Sequence, residues 1–99
     1  MSAPSDANTL SVRHNRARKR FETESEGLTA FLEYSERDGV WILTHTFVSK
    51  ALRGRGIAGI PTQSAIEIAE RENRKVDPQC SYAAAYLQKH PEYGHLRAG

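Results

Sequence analysis

Three features of this 99-residue chain carry reactive or ligand-binding chemistry. Leu52-Arg53-Gly54-Arg55-Gly56-Ile57-Ala58 alternates arginine with glycine, directly after the strand-like run Val40 to Val48 and before a helical pattern ending near Glu72. Strand, glycine-rich turn and helix bring unpaired backbone N–H groups and the positive end of a helix dipole to one point, where an anion is stabilised. The first ligand this predicts is a phosphorylated one. His45, inside the strand-like run, has an imidazole that at an ordinary pKa of ~6.5 can accept a proton near neutrality, from a position able to face a substrate cleft. A lone strand histidine is also commonly structural. Cys80, the only cysteine, can form no internal disulfide and no thiolate zinc site, so any role it has is that of a free thiol.

Positioning these groups requires an ordered set of elements. Met1 to Thr9, rich in Ser, Ala, Pro and Asn, reads as a flexible tail, and residues 10–97 as a single domain. Leu10 to His14 and Lys19 to Thr23 carry short extended patterns about a basic turn. Leu28, Ala30, Leu32 and Tyr34 alternate with Thr29, Phe31, Glu33 and Ser35, the pattern of a strand with one buried face. Arg37-Asp38-Gly39 supplies hairpin-turn chemistry. Val40 to Val48, β-branched and aromatic throughout, predicts a central strand covered on both faces, with Trp41 in the core.

After the glycine turn, Ile60, Ala65, Ile66 and Ala69 recur at helical spacing opposite Glu67, Glu70, Arg71 and Glu72, and Asn73 is a helix stop. Lys75 to Pro78 reads as a short strand. Ser81 to Lys89 reads as a last helix, ended by the restriction that Pro91 places on His90. Strands, helix, strand, helix is the order of an α+β sheet with helices packed on it.

Composition narrows the function classes. With 38% hydrophobic and 26% charged residues, and no apolar run near the ~20 residues of a bilayer crossing, the chain reads as a soluble domain with no membrane partner. The small polar start has no apolar signal core, and with the single cysteine this points to the cytoplasm. A net charge of +2 is too small to argue for nucleic acid, yet Arg13, Arg16, Arg18, Lys19 and Arg20 crowd one stretch with His14. Such a patch can meet a phosphate backbone or an acidic partner, although Glu22, Glu24 and Glu26 follow at once and charge runs are commonly solvated faces. His14, Asn15 and His90 show no metal-site spacing, so no metal is expected.

The glycine turn lacks the third glycine of a dinucleotide fingerprint and the Gly-Lys-Ser/Thr of a P-loop. What it has is Arg-x-x-Gly-x-Ala, from Arg53 to Ala58. This resembles the acetyl-coenzyme A signature of the GCN5-related N-acetyltransferases, Gln/Arg-x-x-Gly-x-Gly/Ala, matched by Arg53, Gly56 and Ala58. The whole chain resembles the small YjdJ-type branch of that superfamily. The shared segments are Val12-Arg13-His14-Asn15, Arg20-Phe21-Glu22, Leu32-Glu33-Tyr34, Leu43-Thr44-His45-Thr46, Leu52 to Ala58, Pro78-Gln79-Cys80-Ser81-Tyr82 and Lys89-His90-Pro91-Glu92-Tyr93. The resemblance covers about residues 10 to 96, nearly the whole chain.

The resemblance implies a minimal fold of that superfamily: a curved, mostly antiparallel sheet, splayed beside the glycine turn, with two main helices packed on it. It implies acetyl-CoA as co-substrate, its pantetheine arm in the splay and its pyrophosphate on the loop. The cofactor-binding residues are then Phe47 and Val48 at the strand end and Arg53, Gly54, Arg55, Gly56, Ile57 and Ala58 in the loop. Glycines let the backbone approach the ligand, and the arginines attract phosphate.

Tyr86 stands where many members carry an acid tyrosine, and it also shares a packing stripe with Tyr82, His90 and Tyr93. Cys80 resembles the cysteine this branch carries after its last long strand, a nucleophile or active-site thiol. The start of the following helix can favour its thiolate, while free cysteines are also commonly small buried hydrophobes. The chain departs from the family at Gly59-Ile60-Pro61. Either Pro61 lies near enough to the helix start that its missing N–H is harmless, the reading we favour, or the first turn is loosened.

The leading reading is therefore an acetyl-CoA-dependent N-acetyltransferase, monomer or weak dimer, acting on an amine whose identity the sequence does not give. A second keeps CoA binding and drops catalysis. A third is a nucleic-acid or acidic-partner binder using Arg13 to Arg20.

Overall fold

The computed structural model describes residues 11–54 and 56–98; the expected tail and Arg55 lie outside the described residues. Its strands are β1 (Arg13–Asn15), β2 (Arg20–Ser25), β3 (Leu28–Arg37), β4 (Val40–Val48) and β5 (Val76–Pro78), with helices α1 (Gly59–Arg71) and α2 (Ser81–Lys89). They form one five-stranded sheet in the order β1-β2-β3-β4-β5, antiparallel from β1 to β4, with β5 parallel to β4. The mostly antiparallel α+β sheet with two main helices is the architecture expected from the sequence.

Local chemistry explains the boundaries. Asp38 and Gly39, with φ of 55° and 80°, make the two-residue hairpin loop whose positive φ values match the twist of the flanking strands. The Glu26–Gly27 loop between β2 and β3 is of the same kind. Asn73, at φ 58°, stops α1, its N–H reaching Glu70 C=O at 3.2 Å while Arg74 N–H reaches Ala69 C=O at 2.8 Å. This pair of bonds satisfies carbonyls that a helix end otherwise leaves open.

Both helices pack on the same face of the sheet. Ala65, Ile66 and Ala69 of α1 and Ala83 and Leu87 of α2 share one buried cluster with Phe21, Leu32, Tyr34, Trp41 and Leu43. Among the described residues no helix lies on the other face, which corrects the expectation that β4 is covered on both sides: Phe47 is 38% exposed and His45 is exposed. A strand rich in β-branched and aromatic residues is doubly covered only if helices lie on both faces, and among the described residues both helices lie on one.

The basic stretch is divided by its surroundings. Arg16 pairs with Glu72 at 2.9 Å, Glu72 with Arg74 at 2.8 Å and Arg74 with Glu36 at 2.7 Å, so this chain of ions ties the β1–β2 turn to the end of α1 and to β3. Arg20 turns instead to Glu33 at 2.9 Å. His14 leaves the cation run altogether: it stacks on Phe21 with ring centres 4.0 Å apart and meets Tyr34 Oη at 2.7 Å.

Burial, followed by the nearby Arg16 charge, pushes the His14 pKa below its ordinary value. A half-buried histidine whose charged form is disfavoured contributes stability that is complete above the ordinary histidine pKa and is lost as pH falls through the lowered folded value. The melting temperature should therefore fall between pH 7 and pH 5, and His14→Gln should remove that part of the fall. Each ~1 kcal/mol involved moves the midpoint by about 4–8 °C in a domain of this size. Thermal melts of the two proteins at both pH values check this, and parallel pH curves count against it.

Candidate active site

The site begins where β4 and β5 part. Their pairing covers only Trp41 to Leu43 on β4, and the amides of Gln79 and Cys80 both end on Leu43 C=O, at 3.1 and 2.9 Å. The chain then turns into α2, leaving the β5-facing edge of β4 without a strand partner beyond Leu43. At the same place the β3–β4 register slips: Tyr34 pairs with Leu43 but Glu33 with His45, so Thr44 is an extra residue, a β-bulge.

The bulge reverses which side chains face in. Trp41 and Leu43 point to the core before it; Thr46 and Val48 take that side after it, opposite the buried Leu32 and Ala30. Backbone direction follows from Ser49 N–H, which donates to Thr29 C=O at 3.1 Å. Alternation along the strand then turns the backbone groups of His45 and Phe47 toward β3, and those of Thr46 and Val48 toward the open edge.

Across the opening lies the glycine turn. Gly54 and Gly56 have φ of 81° and 73°, and a Cβ at either would stand in open space. Glycine is thus required by left-handed backbone rather than by crowding, and it leaves the ligand side clear. Leu52 and Ile57 are buried with Ala30 and anchor the two ends of the turn beneath the sheet. Arg53 is exposed, its Nε donating to Val48 C=O at 3.3 Å. Among the described residues the amides of Gly54, Gly56 and Ile57 meet no backbone acceptor. Pro61 is the third residue of α1 and fully buried, so the N–H it lacks is one the first turn leaves without an intrahelical partner. Pro61 thus has the place near the helix start that the favoured reading assigns to it.

Turn and open edge enclose a cleft of about 500 Å³. Thr46 and Val48 form its floor, Arg53, Gly54, Gly56 and Ala58 one wall, and Tyr82 the other. Tyr82 also brings the helix starts together: a Cβ added to Gly59, the first residue of α1, would lie 3.4 Å from Tyr82 Oη. At the inner end of the floor, Thr46 Oγ1 is 3.3 Å from Cys80 Sγ. That sulfur is the N-cap of α2, accepting Ala83 N–H at 3.4 Å.

Not every residue singled out in the sequence lines this cleft. Val48, Arg53, Gly54, Gly56, Ile57 and Ala58 do, with Ile57 serving as an anchor, and Cys80 touches the floor through Thr46. Tyr86 stands one helical turn beyond Tyr82, its ring 4.2 Å from that of His90. Burial, reinforced by Tyr93 and Glu67, pushes its pKa up to about 12, and burial also raises that of Tyr82. Both phenols are held protonated. His45 and Phe47 lie on the opposite, outer face with Phe31, at ring separations of 6.2 and 5.1 Å, because the bulge reverses the strand's parity. Thr46 and Tyr82 were missed as site residues. Tyr82 reads from sequence as one member of an aromatic stripe, and the place of Thr46 depends on a bulge that hydrophobic pattern does not signal. Among the described residues no group of three or more His, Cys, Asp or Glu could hold a metal ion, and no helix is long and apolar enough to cross a membrane.

An open α+β sheet that splays beside a glycine turn, with two helix starts facing the gap, is the frame of an acetyltransferase domain. The family model described as GCN5-related N-acetyl-transferase matches residues 20–96, and the chain belongs to that family. Among curated relatives, Protein NATD1 of Mus musculus is 34% identical over 94 residues, covering 91% of this chain and 84% of its own. Protein NATD1 of Gallus gallus is 35% identical over 86 residues (83% and 77%), and that of Xenopus tropicalis 30% over 89 residues (86% and 81%).

The backbone argument for the turn has a direct check. Gly56→Ala should destabilise the protein by about 1–2 kcal/mol, the usual penalty of a left-handed Cβ, although the methyl meets no atom. Denaturant unfolding measures it, and an unchanged midpoint would contradict the assigned backbone.

Proposed function

We propose that the protein transfers an acetyl group from acetyl-CoA to an amine. The observation that carries this reading is the single cleft running from the glycine turn, along the free edge of β4, to the Thr46–Cys80 contact. An extended pantetheine chain bears amides, and the edge-facing backbone groups of Thr46 and Val48, the Val48 C=O already taking Arg53 Nε at 3.3 Å, suit them as a partner strand would. The turn amides and Arg53 suit the pyrophosphate, with the start of α1 adding its dipole. This direction along the cleft brings the thioester toward Thr46, Cys80 and Tyr82.

In the transfer the amine nitrogen bonds to the thioester carbonyl carbon, the C–S bond breaks, the nitrogen gives up a proton and the CoA sulfur takes one. Tyr82 in the cleft wall and Tyr86 one turn behind it, both protonated, supply the proton to the sulfur. His45 sits on the outer face beside the gap, where it can take the proton of an amine arriving from that side. Cys80 either receives the acetyl group first, as a thioester on its own sulfur, or shapes the acyl end of the cleft. The shared segments place the chain, on this reading, in the small YjdJ-type branch, and the cytoplasm is the compartment that suits a free thiol.

A second reading, CoA binding without transfer, is favoured by the short β1–β2 turn and the exposed outer face, where among the described residues no element forms a wall around an acceptor. The two separate in one series of measurements. Acetyl-CoA at ~100 times its Kd should stabilise the fold by about 2.7 kcal/mol, a rise in Tm on the order of 10 °C; no shift at millimolar ligand overturns both readings. Turnover with a panel of amines supports transfer alone. If Cys80 carries the acetyl group, Cys80→Ala should lower kcat by ~100-fold or more, and intact-protein mass spectrometry should show one added acetyl group on the wild type only.

A further inference from the structure

The outer face of the sheet, opposite the cleft, is built as a ladder. The Arg20 guanidinium lies 4.1 Å over the Phe31 ring, and Phe31 stacks on Phe47 at 5.1 Å and an interplanar angle of 25°. The ladder runs across β2, β3 and β4, so its next place is over the gap, against the exposed ring of Phe47 and beside His45. At its other end a polar hollow of about 710 Å³ is bounded by Arg13, Arg20, Glu22, Glu24 and Thr29. Arg20 is committed to Glu33 at 2.9 Å and approaches Glu22 at 4.0 Å. Among the described residues Glu24 makes no ion pair, and it is exposed.

We infer that this face is the acceptor platform, and that it takes a lysine of an extended peptide together with a second basic residue. The inference rests on the transfer reading above. Phe47 offers a ring face to the alkyl stem and ammonium at the gap, as Phe31 already does for Arg20. Glu24 offers a carboxylate to the second cation. A face that is open at Phe47 and hollowed beside Glu24 gains more contact from a peptide laid across it than from a small amine.

The spacing follows from the sheet. Phe47 and Glu24 are two strands apart at ~4.8 Å per strand, and Glu24 is displaced by two residues along β2, ~7 Å, so they stand ~12 Å apart. An extended chain covers that in three to four residues at ~3.3 Å each. The preferred acceptor therefore carries Lys or Arg three or four positions from the lysine that is acetylated.

Fluorescence anisotropy with labelled peptides tests this on the full chain, with no need for turnover. One peptide carries Arg three residues from its lysine, a second carries Glu there, and spermidine serves as competitor. The Arg peptide should bind about fivefold or more tightly than the Glu peptide. Phe47→Ala should weaken both peptides about fivefold, and Glu24→Lys should abolish the preference for Arg; both positions are exposed, so the variants should fold. Acetyl-CoA should raise the Tm of both variants as it does that of the wild type. A preference that survives Glu24→Lys, peptide binding indifferent to Phe47→Ala, or spermidine that competes equally with wild type and Glu24→Lys each overturns the platform while leaving the transfer reading intact. A wild-type protein that acetyl-CoA does not stabilise overturns the transfer reading, and the acceptor role with it.

Discussion

The carbonyl oxygen of Leu43 accepts the amides of both Gln79 and Cys80, and this shared acceptor ends the pairing of β4 with β5. Everything that makes a site depends on it. Had β5 continued, its backbone would have filled the edge that Thr46 and Val48 leave free, and the cleft would be ordinary sheet. Two amides converging on one oxygen let the chain leave the sheet with both donors met, the Gln79 N–H also reaching Asp77 C=O at 3.0 Å. Pro78, the last residue of β5, has no N–H to extend the ladder.

The bulge at Thr44 works together with that early ending. Before it β4 builds core with Trp41 and Leu43; after it the same strand offers a hydroxyl and an apolar side chain to the cleft and two rings to the opposite face. One inserted residue therefore divides a strand into a structural half and a site half. It also decides that Thr46 takes the core-side face and His45 the outer one, the reverse of what unbroken alternation from Trp41 and Leu43 would give.

Much of this frame is legible in the chain. Asp38-Gly39, Asn73, His90-Pro91 and the spacing of Ile66 and Ala69 act through local rules, so the turns and helix ends fall where those rules put them. The glycine turn is legible for a similar reason, since positive φ demands glycine whatever surrounds it. The inward-facing side of β4 is not. Parity after a bulge depends on how β3 pairs with it, a long-range fact, and for that reason Phe47 reads as part of the cofactor site while the structure turns its ring away. Coverage of β4 fails in the same manner: composition records that a strand is apolar, not how many helices arrive to cover it.

The N-cap of α2 is a sulfur that accepts Ala83 N–H and shares a hydrogen bond with the Thr46 hydroxyl. A thioether-like or oxidised sulfur offers those partners a different acceptor, and an N-cap commonly contributes ~1 kcal/mol to its helix. Covalent change at Cys80 is therefore coupled to the folding equilibrium of the last helix. The fold itself registers the chemical state of this one atom.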